Sequence, residues 1–283
     1  MTSHPIRMSH GKQHHRLRWV CKLFGPNPTE HPRKGGLKLA LRLTLLLLFF
    51  PALFAQQRMN RPPTHVQYPY LHENDTVLFQ GDSITEGGRA RTGNDMNHIM
   101  GQDYAYLLAA HIGVDTPERN IRFLNRGISG DRVIDLAARW HDDGIALKPN
   151  ILSILVGIND QFGSKGPDTP EEFEAAYDKL LAETVAALPT TKIVIAEPFL
   201  LPVGKHTVSY VQELSELKKR QAAVGRLGAK YHLAVIDYQA VFDEAQVHAP
   251  AAYWCWDGIH PTYAGHALMA REWLRVTNAA WGN

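Results

Sequence analysis

Five short apolar runs alternate along this chain with longer segments whose apolar residues recur every three or four positions. The runs fall at residues 77–79, 122–124, 151–156, 192–196 and 234–236, and each has the length of a strand rather than a helix. The run 151–156 is apolar throughout, as expected for the middle of a parallel sheet covered on both faces. Between the runs the spacing predicts helices. One covers 104–111, with Tyr104, Leu107, Leu108 and His111 on one face. A second opens at Asp131 and runs to about Asp143, with Val133, Leu136, Ala137 and Trp140 on its buried side. Thr169, Pro170 and two glutamates start a third that Pro189 stops, since threonine caps, proline suits the first turn and acids favour the positive helix end. Two more cover 209–231 and 262–276. The polar, glycine-containing stretch 86–101 reads as a loop. Strands alternating with helices, joined by connections long enough for right-handed crossovers, predict an α/β fold: a three-layer α/β/α sandwich around a five-stranded parallel sheet.

Composition adds little to this until charge is divided along the chain. With 45% hydrophobic and 20% charged residues the 283-residue chain can bury a large core. The formal net charge of +2 conceals an asymmetry. Residues 1–55 hold nine lysines and arginines against Glu30 alone, so the remainder carries about −6. An acidic body argues against nucleic acid as partner. The basic stretch precedes an apolar run, 43–55, that ends at Ala55, which is the order of a secretory signal. That run falls short of the roughly 20 residues a membrane span needs. The expected organisation is a signal peptide or leader at 1–55, a linker or arm at 56–70 containing Arg61-Pro62-Pro63, and one catalytic domain at 71–283. The chain is then expected to be secreted or periplasmic, touching a membrane only through an uncleaved leader. Leu53 is not the small residue expected two before a cut at Ala55, and Met8 is an alternative start. The leader histidines His4, His10, His14 and His15 have no neighbouring set of acids or cysteines to complete a metal site. Of the two cysteines, Cys21 lies in the leader, so Cys255 stands alone in the processed chain and is expected to pack.

Chemistry concentrates where strands end. The first strand breaks at Gly81-Asp82-Ser83, and a serine at the carboxyl end of an early strand sits where open α/β sheets bind ligands. Two further polar blocks, Asn125 to Asp131 and Gly157 to Asp160, follow the second and third strands, and Asp257-Gly258-Ile259-His260-Pro261 lies near the C-terminus. A serine hydroxyl needs a base to take its proton, a group to orient that base, and donors for the oxyanion that forms. The nucleophile-elbow pattern Gly-x-Ser-x-Gly is broken at Thr85, which argues against an α/β-hydrolase elbow. No Gly-x-Gly-x-x-Gly follows the first strand, which argues against a dinucleotide site.

The four blocks together resemble the SGNH, or GDSL-type, hydrolases, over roughly residues 77–276. The resemblance implies a flavodoxin-like SGNH hydrolase fold and a serine esterase that needs neither metal nor other cofactor. It implies Ser83 as nucleophile, His260 as base with Asp257 orienting it, and an oxyanion hole made by the backbone N–H groups of Ser83 and Gly130 and the amide of Asn159. His266 is a rival base, Asp82 a rival orienting acid and Gly127 a competing glycine. Asp160 is expected to brace the loops. The longer matches, such as Asn125-Arg126-Gly127-Ile128-Ser129-Gly130-Asp131, are similar to bacterial acetylxylan esterases. This implies an acetylated carbohydrate such as xylan as substrate and acyl-serine chemistry, with a homo-oligomer allowed. The alternatives are a lipid or small-acyl esterase or thioesterase of the same fold, and a non-catalytic carbohydrate-binding module. Some relatives carry a tryptophan soon after the Asn-Asp pair, where this chain has Gln161-Phe162. Trp254 and Trp256 are candidates for an aromatic wall or for the core.

Overall fold

The computed structural model describes residues 68–166 and 168–282. The expected leader, residues 1–55, and most of the expected arm lie outside the described residues. The last residues of that arm pack against the domain. Tyr68 and Tyr70 are buried, Tyr68 donating to Asp115 at 3.1 Å and the Tyr70 hydroxyl lying 2.9 Å from that of Thr277.

The elements in chain order are β1 (Thr76–Gly81), α1 (Ser83–Glu86), α2 (Tyr104–Asp115), β2 (Arg122–Asn125), α3 (Val133–Ala138), α4 (Trp140–Asp143), β3 (Ile151–Leu155), α5 (Asn159–Phe162) and α6 (Pro170–Ala187). Then come β4 (Lys192–Ala196), α7 (His206–Tyr231), β5 (Ala234–Ile236), α8 (Tyr238–Ala245), α9 (Ala251–Trp254) and α10 (Tyr263–Trp281). The five strands form one all-parallel sheet in the order β2-β1-β3-β4-β5. Val77 faces Phe123 on one side and Ile151 on the other.

Side chains alternate across this sheet and separate two cores. Val77, Phe79, Ile151, Val194 and Ala196 pack with α2, α8 and α10. Leu78, Leu152, Ile154, Ile193 and Ile195 pack with α3, α4, α6 and α7. Helices on both faces explain why the strands read as continuous apolar runs. The sandwich expected from the alternation of elements is therefore the fold observed.

Several local expectations need correction. The buried stripe of α2 is Tyr104, Ala105, Leu108 and Ile112, and His111 is exposed. The helix runs one turn further than expected, and Ile112 takes the place against the core that the shorter reading gave to His111. The segment after Asp131 is not one helix. It begins after Arg132 and breaks at Arg139, whose backbone leaves helical geometry. From there the Arg139 guanidinium donates to Asp131 at 2.9 Å and to Gln80 of β1 at 3.0 Å. Trp140 still reaches the core, its indole N–H donating to Thr184 at 2.8 Å, but Ala137 is exposed. Helix α6 starts as expected, with the Thr169 hydroxyl accepting from Glu172 N–H at 3.2 Å and the Glu172 carboxylate accepting from Thr169 N–H. Helices α7 and α10 extend beyond their expected ends, and α8 and α9 were not anticipated.

Candidate active site

The sheet reverses its winding between β1 and β3, because the chain moves from β1 outward to β2 and then returns to the other side of β1. Such a switch point opens a crevice at the carboxyl ends of the strands. The ends of β1 and β3 deliver Ser83 and Asn159 to it.

Asp82 caps α1, its Oδ1 accepting from Ile84 N–H at 3.0 Å. This side chain is fully buried, and burial, reinforced by the charges of Asp160 and Asp131, pushes its carboxyl up to about 7. Asp82 thus faces the interior, and the partners of the His260 ring are Ser83 and Asp257. Ser83 opens α1 at the surface of the crevice, with Oγ 2.8 Å from Nε2 of His260.

His260 is held by its own loop. Asp257 Oδ1 accepts from the N–H groups of Ile259 at 2.9 Å and His260 at 2.7 Å, while Oδ2 lies 2.7 Å from the His260 Nδ1. A bridge between Cys255 and Pro261 closes the turn. Burial pushes the Asp257 carboxyl up, but donation from the backbone and ring of His260 and from Ile259 outweighs it and holds the group below its usual range. An ionised Asp257 fixes Nδ1 as the protonated nitrogen and leaves Nε2 free to accept from Ser83. The three-residue spacing brings both interactions into one turn, as expected. Thr262 caps α10 without help from Asp257 or His260, accepting from Gly265 N–H at 3.3 Å.

The second loop is zipped onto the end of β1 by Arg126 N–H to Phe79 O at 2.8 Å and Ile128 N–H to Gly81 O at 3.0 Å. Its two glycines have separate reasons to be glycine. A Cβ on Gly127 would lie 2.5 Å from the Glu86 nitrogen, so this residue packs the turn against α1. Gly130 has φ +82°, a left-handed conformation that side chains disfavour, and a Cβ there would meet nothing within 4 Å. Among the described residues, no backbone carbonyl accepts from the N–H of Ser83 or of Gly130. Asn159 starts α5 and donates through Nδ2 to Asp131 O at 3.1 Å, which ties the third block to the residue after Gly130.

Sequence reasoning missed two residues that hold these loops. Glu86 accepts from both the N–H and the hydroxyl of Ser129, and from Arg91 Nε at 3.0 Å. Its place three residues after Ser83 looks like ordinary helix capping, so no pattern pointed to a role in bracing the Gly130 loop. Arg220, buried in α7, donates to Asp160 O at 3.1 Å, to Gln161 Oε1 at 3.3 Å and to Asp168 O. It therefore clasps both ends of the loop that follows Asn159. Asp160 adds a brace of its own, accepting from Val133 N–H at 3.1 Å.

The rivals are placed elsewhere. Burial, with the His260 charge adding to it, lowers the His266 imidazole to about 4, and its ring has no bond to Ser83. Cys255 is buried, donates to His260 O at 3.0 Å, and is pushed up to about 12 by burial and by Asp257. Trp254 turns inward, its indole donating to Ala245 O at 3.1 Å. Trp256 is 64% exposed and stacks on the His260 ring, centroids 5.5 Å apart and planes 19° apart. Gln161 donates to Glu213 O and Phe162 packs edge-on against His206, so both face α7. Among the described residues no group of three or more His, Cys, Asp or Glu is arranged to hold a metal ion.

The geometry is that of a serine, a histidine and a carboxylate in a hydrogen-bonded line beside unpaired N–H groups, which can carry out acyl transfer. Comparison with known proteins points the same way. The family model of the GDSL-like lipase/acylhydrolases matches residues 79–268. The acetylxylan esterase of Geobacillus stearothermophilus is 33% identical over 75% of this chain and 97% of its own length. The crystal structure of Axe2, an acetylxylan esterase from that organism, superposes with a TM-score of 0.66 at 32% identity, covering 74% of this chain and 96% of its own. A protein of Parabacteroides merdae described as a GDSL-like lipase gives a TM-score of 0.69 at 33% identity, covering 74% and 97%. The family model matches two-thirds of the chain and the relative is matched over nearly its whole length, and the chain belongs to the GDSL-like lipase/acylhydrolase family as a carboxylic ester hydrolase.

Proposed function

We propose that this enzyme removes O-acetyl groups from a carbohydrate such as xylan through an acetyl-serine intermediate. The observation that carries the mechanism is the line Ser83 Oγ, His260 Nε2, His260 Nδ1, Asp257 Oδ2, with contacts of 2.8 and 2.7 Å. The solved relatives include catalytic mutants of Axe2, one replacing a serine and one an aspartate by alanine, which supports these residue types in these roles.

In this mechanism Ser83 Oγ attacks the ester carbonyl carbon as its proton passes to Nε2 of His260. The Asp257 carboxylate faces the imidazolium that forms. The carbonyl oxygen, now an anion, accepts from the N–H groups of Ser83 and Gly130 and from the Asn159 amide. Collapse breaks the bond to the sugar oxygen, which takes the proton from His260. Water then repeats the sequence on the acetyl-serine, releasing acetate.

Asn159 is the oxyanion donor supplied by a side chain, so substitution removes it, with its bond to Asp131 O, while the N–H groups of Ser83 and Gly130 remain. Asn159→Ala should lower kcat by about 10²–10³ with little change in KM where chemistry is slower than substrate release. Asn159→Asp should be at least as damaging, because it sets a negative charge against the oxyanion. Steady-state kinetics on one ester checks this, and a rise in KM at normal kcat would instead place Asn159 in ground-state binding.

The carbohydrate assignment rests on similarity to the acetylxylan esterase and is tested by acetate release from acetylated xylan beside p-nitrophenyl esters of increasing chain length. Rapid deacetylation of the polysaccharide with a preference for the shortest acyl group is expected. A preference for long acyl chains with no release from xylan would favour the lipid or small-acyl reading.

A further inference from the structure

We propose that a cavity beside the catalytic residues, formed between the loop after α1 and the start of α10, is a subsite for a neutral sugar unit neighbouring the one that is deacetylated. This rests on the carbohydrate reading above and extends it to a second position along the chain. The cavity has a volume of about 530 Å³, within the range of roughly 300–1,000 Å³ that holds small organic ligands. It begins at Gly88, one residue beyond the Gly87 cap of α1, and its other wall is α10, three residues past His260. None of Ser83, Gly130, Asn159, Asp257 and His260 lines it.

Its lining suits an uncharged, hydroxylated ring. Tyr106 and Tyr263 supply aromatic surface, and Leu107 and Ala267 apolar contact. Tyr263 is 84% exposed, an unusual position for a large ring unless something packs on it. Asn97 and Gln102 add exposed amides that can donate and accept. His266 lines the same space. It is 92% buried by residue surface, its Nδ1 has no partner, and neither ring nitrogen is bonded to another described residue. Burial keeps this imidazole neutral at ordinary pH, so it presents one donor and one acceptor and no charge.

Asp103 and His98, which line the cavity, already have hydrogen-bond partners. Asp103 is buried, accepting from Tyr106 N–H at 2.9 Å and from Asn125 at 2.9 Å, and His98 Nδ1 lies 2.6 Å from Asp95. No unpaired cation among the described lining residues would hold a phosphate or carboxylate. A bare acyl chain would leave the amides and the imidazole without partners, which a sugar ring satisfies. The leaving alcohol of an acetylated polysaccharide continues into neighbouring sugars on both sides, and His266, close enough to His260 for that ring's charge to act on it, puts the cavity on the histidine side of the catalytic line.

The test compares kcat/KM, by acetate release, for acetylated xylose and for singly acetylated xylo-oligosaccharides of two to four units, each relative to p-nitrophenyl acetate. The wild-type ratio should rise about tenfold with length, the size of effect expected for one well-stacked ring. Tyr263→Ala removes the exposed platform and Ala267→Trp fills the cavity. Tyr263 is exposed and Ala267 is half-buried in the cavity wall, and both variants should lose the rise. Adding unacetylated xylotetraose to Ser83→Ala should shift the His266 ring resonances. Hydrolysis of acetylated xylose with no gain on longer substrates would overturn the subsite and leave the deacetylase reading standing. Activity on p-nitrophenyl acetate with none on any acetylated sugar would overturn both. A gain with acyl length that Tyr263→Ala abolishes would put the acyl chain in the cavity and overturn the sugar assignment.

Discussion

Ser83→Ala should lower kcat/KM by about 10⁴–10⁶, leaving only the contribution of binding and the oxyanion donors. The size follows from the geometry. Alanine removes the sole atom in the line that can form the acyl bond, and His260 then has no alcohol to deprotonate at 2.8 Å. The substitution deletes one hydroxyl from a half-exposed residue, so thermal stability should change by less than about 1 kcal/mol. A serine-directed fluorophosphonate should label the wild type at Ser83 and fail to label the variant. Ser129 is the informative control. It also lies in a site loop, but its hydroxyl donates to the Glu86 carboxylate and no imidazole touches it. Labelling at Ser129 would contradict the assignment.

Asp257→Asn should cost about 10⁴ in kcat, with the fold retained. The amide oxygen can still accept from the N–H groups of Ile259 and His260, so the turn survives. What is lost is the charge facing Nδ1 at 2.7 Å, and with it the preference for the tautomer that leaves Nε2 free. The pH dependence separates the groups. Asp257 is held below the usual carboxylate range, so it is ionised throughout the neutral region and its protonation contributes only at low pH. His266, lowered to about 4, is neutral above about pH 5. The neutral imidazole of His260 is the form that accepts the serine proton, so His260→Ala should remove most of the activity. His266→Ala should leave the pH profile in place, and a change of that profile in the His266 variant would break the Asp257–His260 pairing.

How far each residue was legible depended on how local its signal is. Ser83, Asp257 and His260 lie in short blocks at strand ends or in a single turn, and the structure places them within hydrogen-bond reach of one another as those blocks suggest. Gly130 was set apart from Gly127 only by the family resemblance; in the structure Gly127 has backbone at 2.5 Å from where a Cβ would be, and Gly130 has open space. Glu86 and Arg220 were invisible. Each looks like a common surface-helix residue until the fold brings Ser129 to the first and the Asp160 and Asp168 carbonyls to the second. Trp254 and Trp256, two residues apart, could not be told apart by pattern. One is tied to Ala245 and Ala249, the other stacks on His260 in solvent.

The order of strands and helices and the helix start at Thr169 follow from neighbours within a few positions, because apolar periodicity and capping act over one or two turns. The break at Arg139, the buried face of α2 and the bracing of the loops after β2 and β3 depend on partners tens of residues away in the chain. Burial and hydrogen-bond satisfaction set those contacts, and both exist only once the sheet has brought the strand ends together. The cavity beside α10 has the same origin: Tyr106 and Tyr263 are 157 positions apart, and they share a wall because α2 and α10 pack on the same face of the sheet.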